Sequence, residues 1–308
     1  MPARRWRKLA ILHKIEATEG VDAAPAAADA IVATNVSFSP IEAEEVRRDL
    51  ILPYLGNQGM LLAAEYGRME FDVEIAGAGA AGDVPKYGSL LRVCGLAETV
   101  SAGVSVTYSI VEDGVESGSI HFNSDGVRHV FLGARANVAM SFAPSRIPHF
   151  RFTMMGVKGT VADVALPTVS QAGWTTPVIA SSVNTAMTLH GSSAVTESLE
   201  IDLGNTVTPR FLIGAEHMQI ADRQSTGTAV IEGRHVADFD LFGKIAARDR
   251  GALSLVHGTA AGNIVEIDAP AVEFGRPSQG ESDGFVTYSV PLALCPVAGL
   301  DELTITVR

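Results

Sequence analysis

Apolar and polar residues alternate in several short stretches of this chain, most clearly in the segment MEFDVEI, residues 69–75. Successive side chains of a β-strand point to opposite faces, so the segment predicts a strand with one apolar and one acidic face. The apolar face consists of Met69, Phe71, Val73 and Ile75. The acidic face consists of Glu70, Asp72 and Glu74.

A long insertion, residues 41–66, separates this strand from a shorter alternating segment that contains Val36 and Phe38. Loops longer than about 12–15 residues without regular structure are usually functional or disordered, and disordered segments are poor in apolar residues. This insertion is rich in them: Leu50, Ile51, Leu52, Tyr54, Leu55, Met60, Leu61 and Leu62. We therefore expect an ordered loop whose apolar side chains are buried in another subunit.

The order of elements in residues 36–156 recurs in residues 193–308. Each stretch has a strand, a long and partly apolar loop (residues 204–225 in the second), another strand, a short helix and further strands. We interpret this as a duplicated domain in a mainly β fold of the α+β type, with one flanking helix per domain. The alternative is that any two α+β domains with one helix each share such an order.

The remaining segments are interpreted as connections. Residues 1–35 are read as an N-terminal arm with a short helix around residues 9–15, and residues 157–192, rich in Gly, Pro, Ser and Thr, as a linker. The basic residues before that helix either dock on acids of a neighbouring molecule or form a solvated end. They are Arg4, Arg5, Arg7 and Lys8.

Two further helices and one tight turn are expected from local signals. Pro85 suits a first helical turn and Gly95 a C-terminal cap. Asp238 and Gly251 are the expected caps of the second helix. The sequence NSDG at residues 123–126, flanked by alternating apolar residues, predicts a β-hairpin.

Composition limits the class of protein. Of the 308 residues, 47% are hydrophobic, and the net charge is −12, whereas nucleic-acid-binding proteins usually carry a basic surface. Cys94 and Cys295 give no disulfide framework. No apolar run reaches the ~18 residues of a membrane span. The apolar run after the basic start ends within a few residues, so no signal peptide is expected, and the chain is expected to be made in a cytoplasm.

One motif resembles a nucleotide site. Gly77–Gly82 reads GAGAAG, a GxGxxG pattern, but the dinucleotide fingerprint requires a buried parallel strand and a helix that opens within the motif. Here the preceding strand carries acids at alternate positions, and Pro85 places the helix start after the third glycine. We interpret the motif as a flexible turn of small residues. No HExxH or CxxC pattern is present, and no catalytic residue, metal site or cofactor is predicted.

Acids alternate on other strands as well: Glu200, Asp202, Glu266 and Asp268. A solvated outer face is the usual explanation for such a pattern. The other explanation is a negatively charged lining, which keeps a passing polyanion from adhering because like charges repel.

Several longer stretches resemble one known family. LAILHKIEATEGVDAAPAAADAI, VSFSPIEAEEVRRDLILPYLG and MEFDVEIAGAGAAGDVPKYGSLLRVCGL are similar to the major tail tube proteins of bacteriophages with long, non-contractile tails. In the second half, LGNTVTPRFLIGAEHMQIADRQSTGTAVIE and LCPVAGLDELTITV are similar to the same family. The resemblance covers nearly the whole chain, and the combination of KIEATEGVDAAP with RRDLILPYLG carries most of it.

The resemblance implies a structural virion protein. Each tube domain would be a β-sandwich or barrel with one flanking helix, and rings of subunits would stack into a hollow tail through which DNA leaves the capsid. It also implies partners: the tape-measure protein and DNA inside the tube, and tail terminator and distal tail proteins at its ends. It implies no enzymatic activity, no cofactor and no membrane.

Two domains in one chain change the expected stoichiometry of the ring. Single-domain tube proteins are expected as hexamers, so three two-domain chains would close a pseudo-hexamer. If each domain gives four strands to the inner wall, about 24 strands at ~4.8 Å each make a circumference near 115 Å, hence a bore of about 40 Å.

The candidate site residues follow from this interpretation. Those expected at the contacts between subunits or rings are Arg47, Arg48, Leu50, Leu52, Tyr54, Leu55, Arg210, Leu212 and Ile213. Those expected to line the lumen are Glu70, Asp72, Glu74, Glu200, Asp202, Glu266 and Asp268. Alternative functions are another self-assembling β-rich virion protein, such as a decoration or pilus-like subunit, and a nucleotide-binding enzyme that uses Gly77–Gly82.

Overall fold

Across residues 3–308, the part of the chain that the computed structural model describes, the fold is mainly β, as predicted, with two short α-helices. The first strands are β1 Leu9–Ile15, β2 Ala30–Ile31, β3 Thr34–Arg47, β4 Met60–Glu74, β5 Leu96–Ser101, β6 Ser105–Ile110, β7 Gly118–Ser124, β8 Val127–Phe142 and β9 His149–Asp163. The later strands are β10 Thr185–Leu189, β11 Ser192–Ser193, β12 Thr196–Asp202, β13 Asn205–Leu212, β14 Ala215–Arg223, β15 Thr226–Glu232, β16 Arg250–His257, β17 Val265–Phe274, β18 Ser278–Ser282, β19 Phe285–Leu294 and β20 Thr304–Val307. The helices are α1 Gly88–Arg92 and α2 Leu241–Ala247, and a 3-10 turn covers Ala27–Asp29.

The N-terminal half (β1–β9) and the C-terminal half (β10–β20) share one strand order. The first pairs β1–β7–β8–β9–β4–β3, all antiparallel. The second pairs β10–β16–β17–β19–β15–β12, again antiparallel. When these six common strands are numbered by their order in the sequence of each half, the order across both sheets is first, fourth, fifth, sixth, third, second. In each half the helix lies in sequence between the third and fourth common strands. The first half also contains β2 and the hairpin β5–β6, and the second also contains β11, the hairpin β13–β14 and β20. Strand β18 follows β17 along β19, as the end of β8 follows its start along β9.

The two halves are joined edge to edge by hydrogen-bonded strands. The end of β8 pairs antiparallel with β12, with Phe142 opposite Leu199 and Ala139 opposite Asp202. On another side, β20 pairs with both β17 and β6. Part of the expected linker is strand, because β9 continues to Asp163.

The core lies on the apolar face that the alternation predicts. Met69, Phe71, Val73 and Ile75 of the MEFDVEI segment have no exposed surface. The ring of Phe71 lies 5.7 Å from that of Phe152 on β9. Cross-strand aromatic pairs of this kind stabilise a sheet beyond the burial of their area.

The helix expected around residues 9–15 is wrong, because these residues form strand β1. β1 pairs with β7 along its full length and with β2 on its other side. A short apolar run buried on both faces has no clear period, so periodicity does not separate strand from helix there. Two of the basic side chains before it contact their own chain: Arg4 donates to the backbone oxygen of Ser124 at 2.9 Å, and Lys8 Nζ lies 3.6 Å from Asp125 Oδ1.

The NSDG hairpin is confirmed, whereas the predicted helix caps are wrong. Asp125 and Gly126 have positive φ values of 36° and 97°, as the tight turn between β7 and β8 requires. Helix α1 has its C-terminal cap at Val93, not at Gly95. Helix α2 is capped by Asp240, not Asp238, through a 2.8 Å bond from Gly243 N. Its C-terminal cap is Arg248, whose backbone has the left-handed conformation, and not Gly251.

The two long insertions are hairpins rather than loops. We call residues 41–66 arm 1 and residues 204–225 arm 2. In arm 1 the β3–β4 pairing continues outward to Arg47 opposite Met60, and arm 2 is the isolated hairpin β13–β14. Register shifts interrupt the β3–β4 ladder near Glu42, and such bulges move side chains between faces. The alternation that would have identified strands in arm 1 is therefore broken in the sequence.

Candidate assembly surfaces

Arm 1 exposes the apolar side chains that the sequence singled out. Ile51 and Leu55 are fully exposed, and Tyr54 is 68% exposed. Leu50, Leu52, Met60, Leu61 and Leu62 are exposed as well. Contiguous exposed apolar patches on a soluble protein mark interaction sites.

The tip of arm 1 is ordered by a side chain. Gln58 accepts a hydrogen bond from Leu50 N at 2.8 Å and donates to the oxygen of Leu50 at 2.7 Å. This reciprocal pair closes residues 50–58 without using an apolar side chain. Arg47 and Arg48 stand beside the tip and are exposed, so the arm offers a mixed apolar and basic surface.

Arm 2 differs, because its base packs against the N-terminal half of its own chain. Met218 has no exposed surface, and its backbone oxygen accepts a hydrogen bond from Arg135 of β8. Arg135 also binds Glu19 at 2.7 Å. At its tip, Leu212 is exposed and Ile213 is fully exposed.

Three of the seven predicted lumen acids meet in one concavity of about 500 Å³, where β12 runs between β8 and β15. They are Asp72, Glu200 and Asp202. Asp72 is only 3% exposed, and it accepts hydrogen bonds from Arg151 at 2.9 Å and Asn35 at 2.7 Å. The bound carboxylate raises the pKa of the Arg151 guanidinium. Three carboxylates face one guanidinium here, so the concavity remains acidic.

The other four acids lie apart from that concavity or beside it. Glu70 precedes Asp72 on the same face of β4 and binds Arg68 at 2.6 Å, and Glu74 ends that strand. Glu266 and Asp268 are on β17, where Glu266 binds the guanidinium of Arg308.

Sequence reasoning missed the cations beside the acids. Arg151 and His149 lie on the polar face of β9, opposite Phe150 and Phe152. The alternation of HFRFTMM contains this signal, because it places both basic residues on the face that leaves the core. Arg151 and His149 therefore neutralise part of the acidic charge of this lining, which a count of acids alone does not show.

The glycines of Gly77–Gly82 lie in a turn of small residues, as predicted, and hydrogen bonds tie this turn to the C-terminal half. Gly77 N donates to Asn263 Oδ1 at 2.7 Å, and Gly79 N donates to the oxygen of Gly262 at 2.8 Å. A side chain at Gly77 would collide with the backbone of Gly262. Helix α1 begins at Gly88, beyond the motif, and the strand before the motif is antiparallel to both neighbours.

One buried carboxylate was also missed. Glu16 accepts hydrogen bonds from Gly20 N at 2.8 Å and Gly133 N at 2.9 Å. The hydroxyls of Ser117 and Ser119 donate to it as well, each at 2.8 Å. A buried carboxylate satisfied by four donors fixes the loop after β1.

Within residues 3–308, no group of three or more His, Cys, Asp or Glu side chains is placed to hold a metal ion. No helix in that range has the length and apolar character needed to cross a bilayer. None of the curated proteins compared with this sequence matches it. The family model described as phage tail tube protein matches residues 6–293. Since that match spans nearly the whole sequence, the chain belongs to the phage tail tube family, whose members are structural proteins of the virion.

Proposed function

We propose that this chain is the major tail tube subunit of a phage with a long, non-contractile tail. Three copies close into a ring that has six similar units, and the rings stack into a hollow tube through which DNA leaves the capsid. The subunit acts by assembly and not by catalysis.

The repeated strand order supports the pseudo-hexamer most directly. Both halves place their six common strands in the same order, and β8 already joins one half to the other through β12. A ring needs units that meet neighbours in the same way on each side. Three copies with two such units each supply six positions, which is the number expected of single-domain tube proteins.

The exposed arms support stacking and lateral contact. Burying one large apolar side chain contributes about 1.5–3 kcal/mol. Arm 1 alone exposes ten large apolar residues: Ile41, Val46, Leu50, Ile51, Leu52, Tyr54, Leu55, Met60, Leu61 and Leu62. The tip of arm 2 adds Leu212 and Ile213. Contacts of this size, repeated around each ring, outweigh the repulsion between acids across the bore.

The acid-lined face supports a lumen that DNA passes without adhering. Asp72, Glu200 and Asp202 lie together where the two halves meet, a junction that would recur around the ring. Like charges repel over roughly 8–10 Å at physiological salt. In this proposal the tape-measure protein and then DNA occupy the lumen without sequence-specific contacts.

The remaining partners follow from the same role. Tail terminator and distal tail proteins would cap the two ends of the tube, and the subunit would be made in the cytoplasm of the bacterial host before assembly.

Electron microscopy of the purified protein tests this function. Negatively stained samples should show rings or hollow tubes with a central hole of about 40 Å, the bore set by ~24 strands. Pili without a bore, or single particles at every concentration, would contradict the proposal.

A further inference from the structure

The junction between the two halves provides a template for a contact between copies. Residues 139–142 of β8 pair with residues 199–202 of β12, with Ser141 opposite Glu200. In this junction the fifth common strand of the first half meets the second common strand of the second half.

The strand registers locate the residues of the C-terminal half that are equivalent to the junction residues of β8. Strands β4 and β15 are each the third common strand of their half, and we align them at their last residues, Glu74 and Glu232. Glu74 faces His149, and Glu232 faces Thr287. His149 therefore corresponds to Thr287. Ser141 faces His149, whereas Gly280 faces Thr287. Gly280 of β18 is therefore the counterpart of Ser141, and Ser278 is the counterpart of Ala139.

The same counting locates the counterpart of β12. Glu200 faces Thr228 on β15, Thr228 corresponds to Glu70, and Glu70 faces Ser37 on β3. Ser37 is thus equivalent to Glu200, and Ser39 to Asp202. Apolar positions agree, because Phe38 packs on the core as Ile201 does in β12.

Both counterparts have an open edge. Within residues 3–308, β18 pairs only with β19 and β3 pairs only with β4, while their equivalents β8 and β12 have neighbours on both sides. The residues of β18 are largely exposed. An open strand edge presents unpaired N–H and C=O groups and is a template for another strand.

The geometry points to an intermolecular sheet in which β18 of one copy pairs antiparallel with β3 of the next, Ser37 opposite Gly280 and Ser39 opposite Ser278. This inference rests on the proposed ring and assigns the strands that close it. The contact is head to tail, so the rotation between copies decides whether it forms a ring or an open helix. Each chain contributes one β8–β12 junction within itself and one β18–β3 junction with the next chain. A ring of three chains therefore has six similar junctions, three within chains and three between chains.

Arm 1 fits the same arrangement. Arm 2 follows β12 and rests on the half that β12 joins, with Met218 fully buried there. Met60 holds the matching place in arm 1, eight residues before Arg68 as Met218 is before Thr226, yet Met60 is exposed. Pairing β3 with the next copy brings arm 1 over that copy's C-terminal half. There Met60 becomes buried, as Met218 is buried against the N-terminal half of its own chain.

Paired cysteines test the register. In a Cys295→Ser parent, Ser37→Cys with Gly280→Cys would place the two residues about 4.5–5.5 Å apart between Cα atoms, within disulfide range. A Cβ at Gly280 would lie 3.2 Å from Thr287 Oγ1. Ser39→Cys with Ser278→Cys is the second pair and avoids that contact.

Two controls bracket the result. Ser141→Cys with Glu200→Cys tests the template within one chain, where a disulfide should form. Ser39→Cys with Ser282→Cys is out of register by four residues, about 13 Å along the strand, and should not cross-link.

Assembled tubes are oxidised, denatured and run without reductant. Either in-register pair should give covalent dimers and trimers at least ten times more abundant than the out-of-register control. Tubes that form while both in-register pairs stay monomeric, with the template pair oxidised, would overturn the strand assignment alone. A parent that forms neither rings nor tubes would overturn the proposed function and this pairing with it. A ladder extending beyond three chains would support the pairing and contradict the trimeric ring.

Discussion

At the scale of single residues, the chain depends on polar groups buried near β1. Glu16 receives one backbone N–H and one hydroxyl on each carboxylate oxygen. A hydroxyl can rotate to serve as acceptor, but a backbone N–H of Gly20 or Gly133 cannot. Replacing either oxygen by an amide NH₂ therefore sets two donors against each other.

Glu16→Gln should lower the free energy of unfolding of the unassembled chain by about 2 kcal/mol, the cost of an unsatisfied buried donor. Urea unfolding followed by circular dichroism measures it. Glu44→Gln on exposed arm 1 is the matched control and should change stability by less than about 0.5 kcal/mol. A change equally small for Glu16→Gln would show that these hydrogen bonds contribute little.

His13 makes stability depend on pH. Burial, and secondly the charge of Arg92, lower its pKa from 6.5 to about 3, so the folded chain keeps His13 neutral. The unfolded chain binds a proton below pH 6.5 and the folded one does not. The stability contribution is full above pH 6.5 and is lost as the pH falls from 6.5 toward 3.

His13→Gln should remove about 2 kcal/mol of the stability difference between pH 7.5 and pH 5, since one proton is worth ~1.4 kcal/mol per pH unit. Urea unfolding at the two pH values, with His235→Gln on the exposed surface as control, measures it. An unchanged pH dependence would mean that His13 titrates alike in the folded and unfolded states.

At the scale of elements, arm 1 separates folding from assembly. Leu52 and Leu55 contact solvent in the single chain, with Leu55 fully exposed. The fold does not use these side chains, and the proposed contacts between copies do.

Replacing both leucines, Leu52→Asp with Leu55→Asp, should leave a soluble chain with its unfolding free energy unchanged within about 0.5 kcal/mol. The same protein should not form tubes, which sedimentation and electron microscopy would measure. Val297→Asp is the control, an exposed apolar residue outside both arms, and should assemble. Tubes of normal length from the double variant would remove arm 1 from the interface.

Local patterns predicted the elements in which one signal dominates. The MEFDVEI strand and the NSDG turn follow from strict alternation and from the left-handed backbone of Asp125 and Gly126. Strand β1 was missed because burial on both faces erases the period. The pairing within arm 1 was missed because bulges interrupt it, although its apolar exposure was foreseen. The β8–β12 junction joins residues about sixty positions apart, and no local pattern encodes such a pairing.

At the scale of the whole molecule, the acidic face is the electrostatic part of the proposal. Glu200 lines the concavity between the halves and is itself exposed. In an assembled ring this position would recur in each copy and face the lumen.

Glu200→Lys should convert tubes that do not retain DNA into tubes that do. Short fluorescent duplexes incubated with tubes at low salt should co-sediment with the variant at least several-fold more than with the parent, and salt should reverse it. Glu112→Lys, the same charge change in an exposed loop, is the control. Equal retention by both variants would place the acidic face outside the lumen.

The most direct measurement of the central claim is a three-dimensional reconstruction of one ring by electron cryomicroscopy. The proposed assembly has three copies per ring, six similar lobes of density, Glu70, Asp72 and Glu74 turned toward the bore, and β18 beside β3 of the next copy. A ring of six whole chains, or these three acids on the outer surface, would contradict it.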